Sequence, residues 1–352
     1  MVERIKKIKN NKIFTSIFYL LSHTLRAIYI IKLYRHLHGK YRLKITLVQA
    51  YREAIYLTKN STKQAKPTSE SKQTIICIHD GLTHTGGLTD RLKGICTLFN
   101  YAKKNGFIFK IYFVSPFRLE KYLIPNQYDW LLSENELSYD PEVTSIYTWE
   151  DEKFVTPFFN RNKDKQQFHI GCNSRECYPH YSALFNELFT LSPDLQNELQ
   201  THIEKLGNKG NYISISFRFQ NLLGEFQEAN SVSLSKEDQE SLIEKCLVEI
   251  SKIKELHGDI SKILITSDSN VFREIAMAKY PYIYSYVFPE EVGHIDYADS
   301  GKSKERTAFV DMFLIANAKN VYQIRSKEMY NSDFPVMAAK ITDSPYKMIL
   351  IE

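Results

Sequence analysis

Arg218 closes the run Y-I-S-I-S-F-R at residues 212–218, an alternation of apolar and small side chains that ends on the arginine. Alternation of that length reads as a β-strand, and Gly207 and Gly210 punctuate its start. In an α/β sheet ligands are met at the carboxyl ends of strands, so Arg218 stands where an anion would arrive. A second run, residues 263–266 after Lys262, ends on Ser267-Asp268 and gives way at once to a helical pattern. Two polar strand ends on one sheet make a nucleotide site the first hypothesis to weigh.

Other chemistries find less support. The loop from Gly81 to Gly87 has the G-x-x-x-x-G spacing of a phosphate loop, but Gly87-Leu88 stands where Lys-Ser or Lys-Thr would follow. Without that lysine a kinase or NTPase reading falls away. Gly86 and Gly87 can still admit backbone amides to an anion ahead of a helix, or simply make a tight turn. Cys77-x-His79 and His36-x-His38 are isolated pairs with no second pair at metal-ligand spacing. No Asp-x-Asp occurs, so any diphosphate charge falls to Arg218 and backbone amides rather than to a bound Mg²⁺ or Mn²⁺. No Gly-x-Ser-x-Gly elbow points to a hydrolase.

The elements that would carry these residues alternate. From residue 74 the order is a strand at 74–78, the glycine loop, a helix at 88–104 with Leu92, Ile95, Leu98 and Phe99 on one side, and a strand at 107–114. A helix near 119–123, a strand at 168–172 and helices at 181–189 and 193–206 close this half, while 129–156 resists assignment. The second half reads as strands at 212–218, 263–266, 283–288, 321–324 and 347–351, with helices at 236–256, 271–279, 308–316 and 334–341. Such alternation predicts parallel sheets covered by helices. The expected division is a basic amphipathic helical segment at 1–60, a polar linker at 61–73, and two Rossmann-like domains at 74–206 and 207–352.

Charge is distributed unevenly. The chain of 352 residues carries a net charge of +5, yet residues 1–60 hold 13 Lys and Arg against only Glu3 and Glu53. Their longest uncharged run, 13–25, falls short of the roughly 20 apolar residues that span a bilayer. No small-residue cleavage site follows it, which argues against a signal peptide. A helix with Lys and Arg on one face and Ile, Leu, Phe and Tyr on the other suits a membrane surface, or packs on its own protein. No nucleic-acid motif accompanies the charge. Five unpatterned cysteines point to a reducing, cytoplasmic setting.

Four segments, G-G-L-T-D-R-L-K-G-I, I-S-I-S-F-R, L-I-T-S-D and F-V-D-M-F-L-I-A-N-A-K-N-V, follow one another in an order that resembles the fucosyltransferase superfamily. That superfamily includes α1,6-, plant α1,2- and protein O-fucosyltransferases, and the resemblance runs from about Ile75 to Ile341. It implies two Rossmann-like domains in a GT-B arrangement, with the acceptor met by the first and the nucleotide sugar by the second. It also implies inverting transfer of L-fucose from GDP-fucose to a glycan, with no cofactor or metal.

The family's H-x-R falls on Ser216-Phe217-Arg218, which gives Arg218 the β-phosphate and puts Ser216 in place of the histidine near the base. Asn221 stands where the family often has an acid. Thr266-Ser267-Asp268 keeps the second motif, and Asp311 matches the aspartate that accepts from guanine N1 and N2. Ser332 matches a donor-binding serine if residues are inserted before it, with Ser326 as rival. Asp90 and Arg91 fall on positions that face the donor sugar. Glu225 is the first candidate for the base, with His84 and Asp90 as alternatives. Each residue also has a structural reading: Arg218 as a surface charge, Asp268 as a helix cap, Asp311 as a helix N-terminal charge, and the nearby Glu228 as a solvated loop acid. The rival functions are transfer from another nucleotide sugar and a non-catalytic binding protein of the same fold. The basic segment makes a lipid-linked or cell-surface glycan the favoured acceptor.

Overall fold

Strand β1 (Thr74–His79) is buried along almost its whole length, because T-I-I-C-I-H puts apolar side chains on both faces. The computed structural model describes residues 52, 55–56, 72–82, 86–149, 155–225, 233–286 and 304–352. His84, Glu228, the basic segment before Arg52 and most of the expected linker lie outside the described residues.

Strand β1 lies between β2 (Ile108–Phe113) and β5 (Gln167–Cys172), and β4 (Thr144–Trp149) pairs on the far side of β5. All these pairings are parallel. Helix α1 (Leu88–Asn105) connects β1 to β2 and seals Leu92, Ile95, Leu98 and Phe99 from solvent, the one-sided spacing expected of it. Helix α2 (Val155–Arg161) precedes β5. At Gly94 the backbone of α1 comes so close to β5 that a Cβ would sit 2.0 Å from the Cys172 carbonyl oxygen. Arg52, Ile55 and Tyr56 are helical, and Tyr56 packs with Ile76, Ile78, Leu137, Tyr139 and Ile146.

The second sheet is parallel throughout, in the order β11 (Tyr346–Leu350), β10 (Asn320–Arg325), β7 (Tyr212–Phe217), β8 (Lys262–Ser267), β9 (Ile283–Tyr284). Read from β9, that is the 3-2-1-4-5 order of a doubly wound Rossmann-type sheet, with β7 as its first strand. Helices α5 (Lys236–Leu256), α6 (Asn270–Lys279), α7 (Lys304–Ala316) and α8 (Phe334–Ile341) link these strands. The alternation in β7 sorts its faces. Ile213, Ile215 and Phe217 join Leu242, Cys246, Leu247 and Ile250 of α5 in one core, while on the other face the Tyr212 hydroxyl donates to the Leu314 carbonyl of α7 at 2.6 Å. Helix α7 is buried on all sides from Phe309 to Ala316, so its sequence shows no polar stripe. Side-chain caps from Ser235 and Ser269 start α5 and α6.

The chain divides into two compact units. Among the described residues, the first contains 94–115 and 129–176 with those that precede Gly86, and the second contains 86–93, 116–128 and those from Cys177 on. The second unit also holds α3 (Tyr181–Leu188), α4 (Pro193–Lys205) and an antiparallel pair, β3 (Leu123–Pro125) with β6 (Phe189–Leu191). Where a helix is expected at 119–123, the chain makes one 3₁₀ turn, Leu119–Lys121, and enters β3. Pro125 disfavours helical backbone at Ile124, which accounts for the early stop. The unassigned stretch at 129–156 contains β4 and the start of α2. The strand expected at 283–288 is shorter: it ends at Tyr284, with Ser285 and Tyr286 already out of the ladder, and residues 287–303 lie outside the described residues.

Candidate functional site

The β7 ladder stops at Phe217, one residue before Arg218. Asp268 ends it: Oδ1 accepts from the Phe219 amide at 2.8 Å and Oδ2 from the Gln220 amide at 2.7 Å. Gln220 adopts a left-handed φ of 53°, which costs a non-glycine residue roughly 1–2 kcal/mol, and the carboxylate's grip offsets that cost. The same Oδ2 receives Arg218 Nη1 at 3.2 Å. Asp268 is sealed while the Arg218 side chain is 23% exposed, so a partly open guanidinium rests on a buried, fixed carboxylate. Burial pushes the Asp268 carboxyl up from its ordinary range, and Arg218 and the two amides pull it back. The cap of α6 is Ser269, whose hydroxyl takes the Phe272 amide, so Asp268 is free of that structural duty.

Ser216 and Thr266, neighbours in register on β7 and β8, share a hydrogen bond of 2.7 Å and are both buried. Glu225 is bound to the start of α6: Ser269 donates its hydroxyl to Oε2, and the Val271 amide reaches Oε1 at 3.2 Å. Asp311 lies in the third turn of α7, away from the helix N-terminus, and Arg273 Nη2 donates to its Oδ2 at 2.6 Å. Burial raises the Asp311 carboxyl, and Arg273 opposes the shift.

The segment after β10 folds back to the same strand end, where the Tyr330 amide donates to the Arg218 carbonyl at 3.2 Å. Ser332 accepts from the Phe334 amide at 3.2 Å and so begins α8. Gln323, in register beside Ser216, holds Ser332 in place once its amide is oriented to satisfy both ends, with bonds of 3.2 and 3.3 Å to the Ser332 backbone. Ser326, the rival to Ser332, donates to Glu328 at 2.6 Å.

The Gly86-Gly87 turn belongs to this unit too. Gly86 has a left-handed φ of 80°, and a Cβ there would meet Asp90 Oδ2 at 2.7 Å. The Gly87 amide donates to Asp90 Oδ2 at 3.3 Å, and Arg91 Nε donates to the Gly86 carbonyl at 3.1 Å. Lys93, buried, salt-bridges Asp90 at 2.5 Å and Asp333 at 3.4 Å, which ties the glycine turn to the residue after Ser332. Contacts within the second unit therefore connect Arg218, Asp268, Ser332, Asp90, Arg91 and the two glycines. Among the described residues, no three His, Cys, Asp or Glu side chains gather as a metal site.

No sequence-family model matches the chain, and no curated protein matches it. Solved structures do. A Bradyrhizobium NodZ α1,6-fucosyltransferase soaked with GDP-fucose superposes with a TM-score of 0.50 at 15% identity, over 77% of this chain and 93% of that one. The same enzyme co-crystallised with GDP gives 0.52 at 15% identity, over 77% and 92%. Arabidopsis thaliana FUT1, as a point mutant with GDP, gives 0.51 at 11% identity, over 87% of this chain and 79% of that one. This chain shares the fold of these fucosyltransferase structures. Arg273 and Lys93 carry no signal along the sequence, because they lie inside helices, where a single basic residue looks like a solvated face.

Proposed function

We propose that this chain is an inverting glycosyltransferase that moves L-fucose from GDP-fucose to a glycan hydroxyl without a metal. The observation that carries this is Arg218, partly open at the end of the first strand of a dinucleotide-binding sheet and held there by the buried Asp268. In the reaction the bond from sugar C1 to the β-phosphate oxygen breaks, and the acceptor oxygen bonds C1 from the opposite side. GDP leaves with the electron pair, and a base takes the acceptor proton. Arg218 would meet the charge that grows on the β-phosphate, where a planar two-pronged donor suits the geometry.

Asp311 is proposed for the guanine edge, and Ser216, Asp268 and Ser332 for the walls of the donor site. Gly86, Gly87, Asp90 and Arg91 are proposed to face the sugar phosphate. Glu225 is the proposed base, and to act it must leave the α6 N-terminus, to which it is bonded here. In this reading residues 207–352 bind the donor and 74–206 the acceptor. Residues 1–60 would bring the enzyme to a membrane surface carrying a lipid-linked glycan, at the cytoplasmic face, and vesicle flotation of the full chain tests that step.

Removing one donor of the oxyanion type costs about 3 kcal/mol. Arg218→Ala should therefore lower kcat on GDP-fucose by about 10²–10³-fold. Near-normal turnover in that variant would end the assignment. Ser216, where the resemblance expects histidine, favours one second reading, a donor with a different base or sugar. A panel of nucleotide sugars in the same assay distinguishes the two.

A further inference from the structure

Arg273 is fully buried. A guanidinium out of water is tolerated only when its donors are met. Here all five have partners. Nε donates to the Ser267 carbonyl at 2.9 Å, and Nη1 to the Tyr286 carbonyl at 2.9 Å and the Ser285 hydroxyl at 3.2 Å. Nη2 donates to the Ser267 carbonyl and to Asp311 Oδ2. Since Ser285 in turn donates to the Ile265 carbonyl at 2.6 Å, the guanidinium is a fixed brace across the ends of β8 and β9, and Asp311 hangs from it.

The brace satisfies only half of the carboxylate. Asp311 Oδ1 is sealed from solvent and has no hydrogen-bond donor among the described residues. Buried polar groups are nearly always paired, so an orphaned carboxylate oxygen in an otherwise satisfied network points to a donor supplied from outside the chain.

The geometry points to Arg273 as the residue that sets selectivity for the nucleotide base, by fixing Asp311 as a charged acceptor whose Oδ1 is kept for the N–H edge of guanine. The inference rests on the donor reading above and deepens it. Guanine presents N1–H and N2–H side by side, a pair of donors that a fixed carboxylate can accept. Uracil presents a single N–H flanked by two carbonyls, which a carboxylate repels. The guanidinium contributes orientation and charge: it holds the carboxyl plane through Oδ2 and opposes the neutralisation that burial favours. Arg273 touches no substrate in this scheme. It is a positioning residue.

Calorimetry with GDP, inosine diphosphate and UDP on the full chain tests this, because inosine diphosphate lacks only the N2 amino group. The unmodified protein should bind GDP at least about tenfold more tightly than inosine diphosphate, the scale of loss when a site built for a donor meets a ligand without it. In Arg273→Met that ratio should fall to about one, because GDP loses more affinity than inosine diphosphate. Arg273→Lys keeps the charge and loses the fork; its ratio should also drop, and it keeps the test decisive if the methionine variant does not fold. A merely structural arginine would weaken both nucleotides alike, so an unchanged ratio in a folded variant overturns the inference alone. Absence of any guanine preference in the unmodified protein overturns it together with the donor reading.

Discussion

His202 shows what burial does to one side chain in this fold. It sits in α4 with its Nδ1 2.5 Å from the Tyr284 hydroxyl and its ring against Tyr286 at 4.3 Å. Burial lowers its pKa from the ordinary 6.5, more than Glu198 raises it. A depressed histidine favours the neutral form in the folded state, so its stabilisation is present above the unfolded pKa and lost as pH falls through the folded one. Urea midpoints should therefore decline between about pH 7 and 5, and His202→Gln should flatten that decline. A variant profile parallel to the parent would show that His202 does not titrate with unfolding. Arg218 and Asp268 were legible in the sequence because strand ends advertise themselves: alternation runs up to Phe217, and a capped helix begins after Asp268. Arg273 was not, because its burial is decided by Ser267, Ser285 and Asp311, which come from three other places in the chain.

Elements place these residues, and some placements tolerate no side chain. Gly94→Ala would drive a methyl group onto the Cys172 carbonyl, whereas a Cβ at Gly87 meets nothing within 4 Å. Overpacking of a closed contact costs typically 1–3 kcal/mol, so Gly94→Ala should destabilise by about 3 kcal/mol and Gly87→Ala by less than about 1. Thermal melts of the two variants side by side check this, and equal melting temperatures would refute the close approach of α1 to β5. Long periodic elements were readable to the residue: α5 and α8 begin and end where the sequence places them. The three-residue strands β3 and β6 were not, since three residues hold too little of a period-2 pattern to stand out. Strand β4 escaped because its T-S-I-Y-T-W run is only half-buried and mixes polar with apolar residues on both faces.

At the scale of the molecule, Arg52 and Tyr56 tie into the first unit. Arg52 salt-bridges Asp80 at 3.0 Å with both side chains almost sealed, and Tyr56 shares a hydrogen bond of 2.7 Å with His169. Removing one partner of a buried pair leaves the other charge stranded, at about 3–5 kcal/mol. Arg52→Ala should lose that much stability in denaturant unfolding; a loss under about 1 kcal/mol would mean these residues are not part of the first unit's core. The return of residues 86–93 and 116–128 to the second unit could not be read along the chain, because local patterns carry no record of which distant segment a turn packs on. Four short motifs in order nevertheless pointed to the fold of the solved structures above, which share only 11–15% identity with this chain, since order and spacing follow the sheet even where side chains differ.

The central proposal is a guanine nucleotide bound through Arg218 and Asp311. Its most direct test is calorimetry of GDP, UDP and CDP against the full chain with EDTA present, repeated on Asp311→Ala. The prediction is roughly micromolar binding of GDP, selective over UDP and CDP, and lost or made unselective in the variant. Preference for UDP or CDP, or no binding of any of the three, would contradict it.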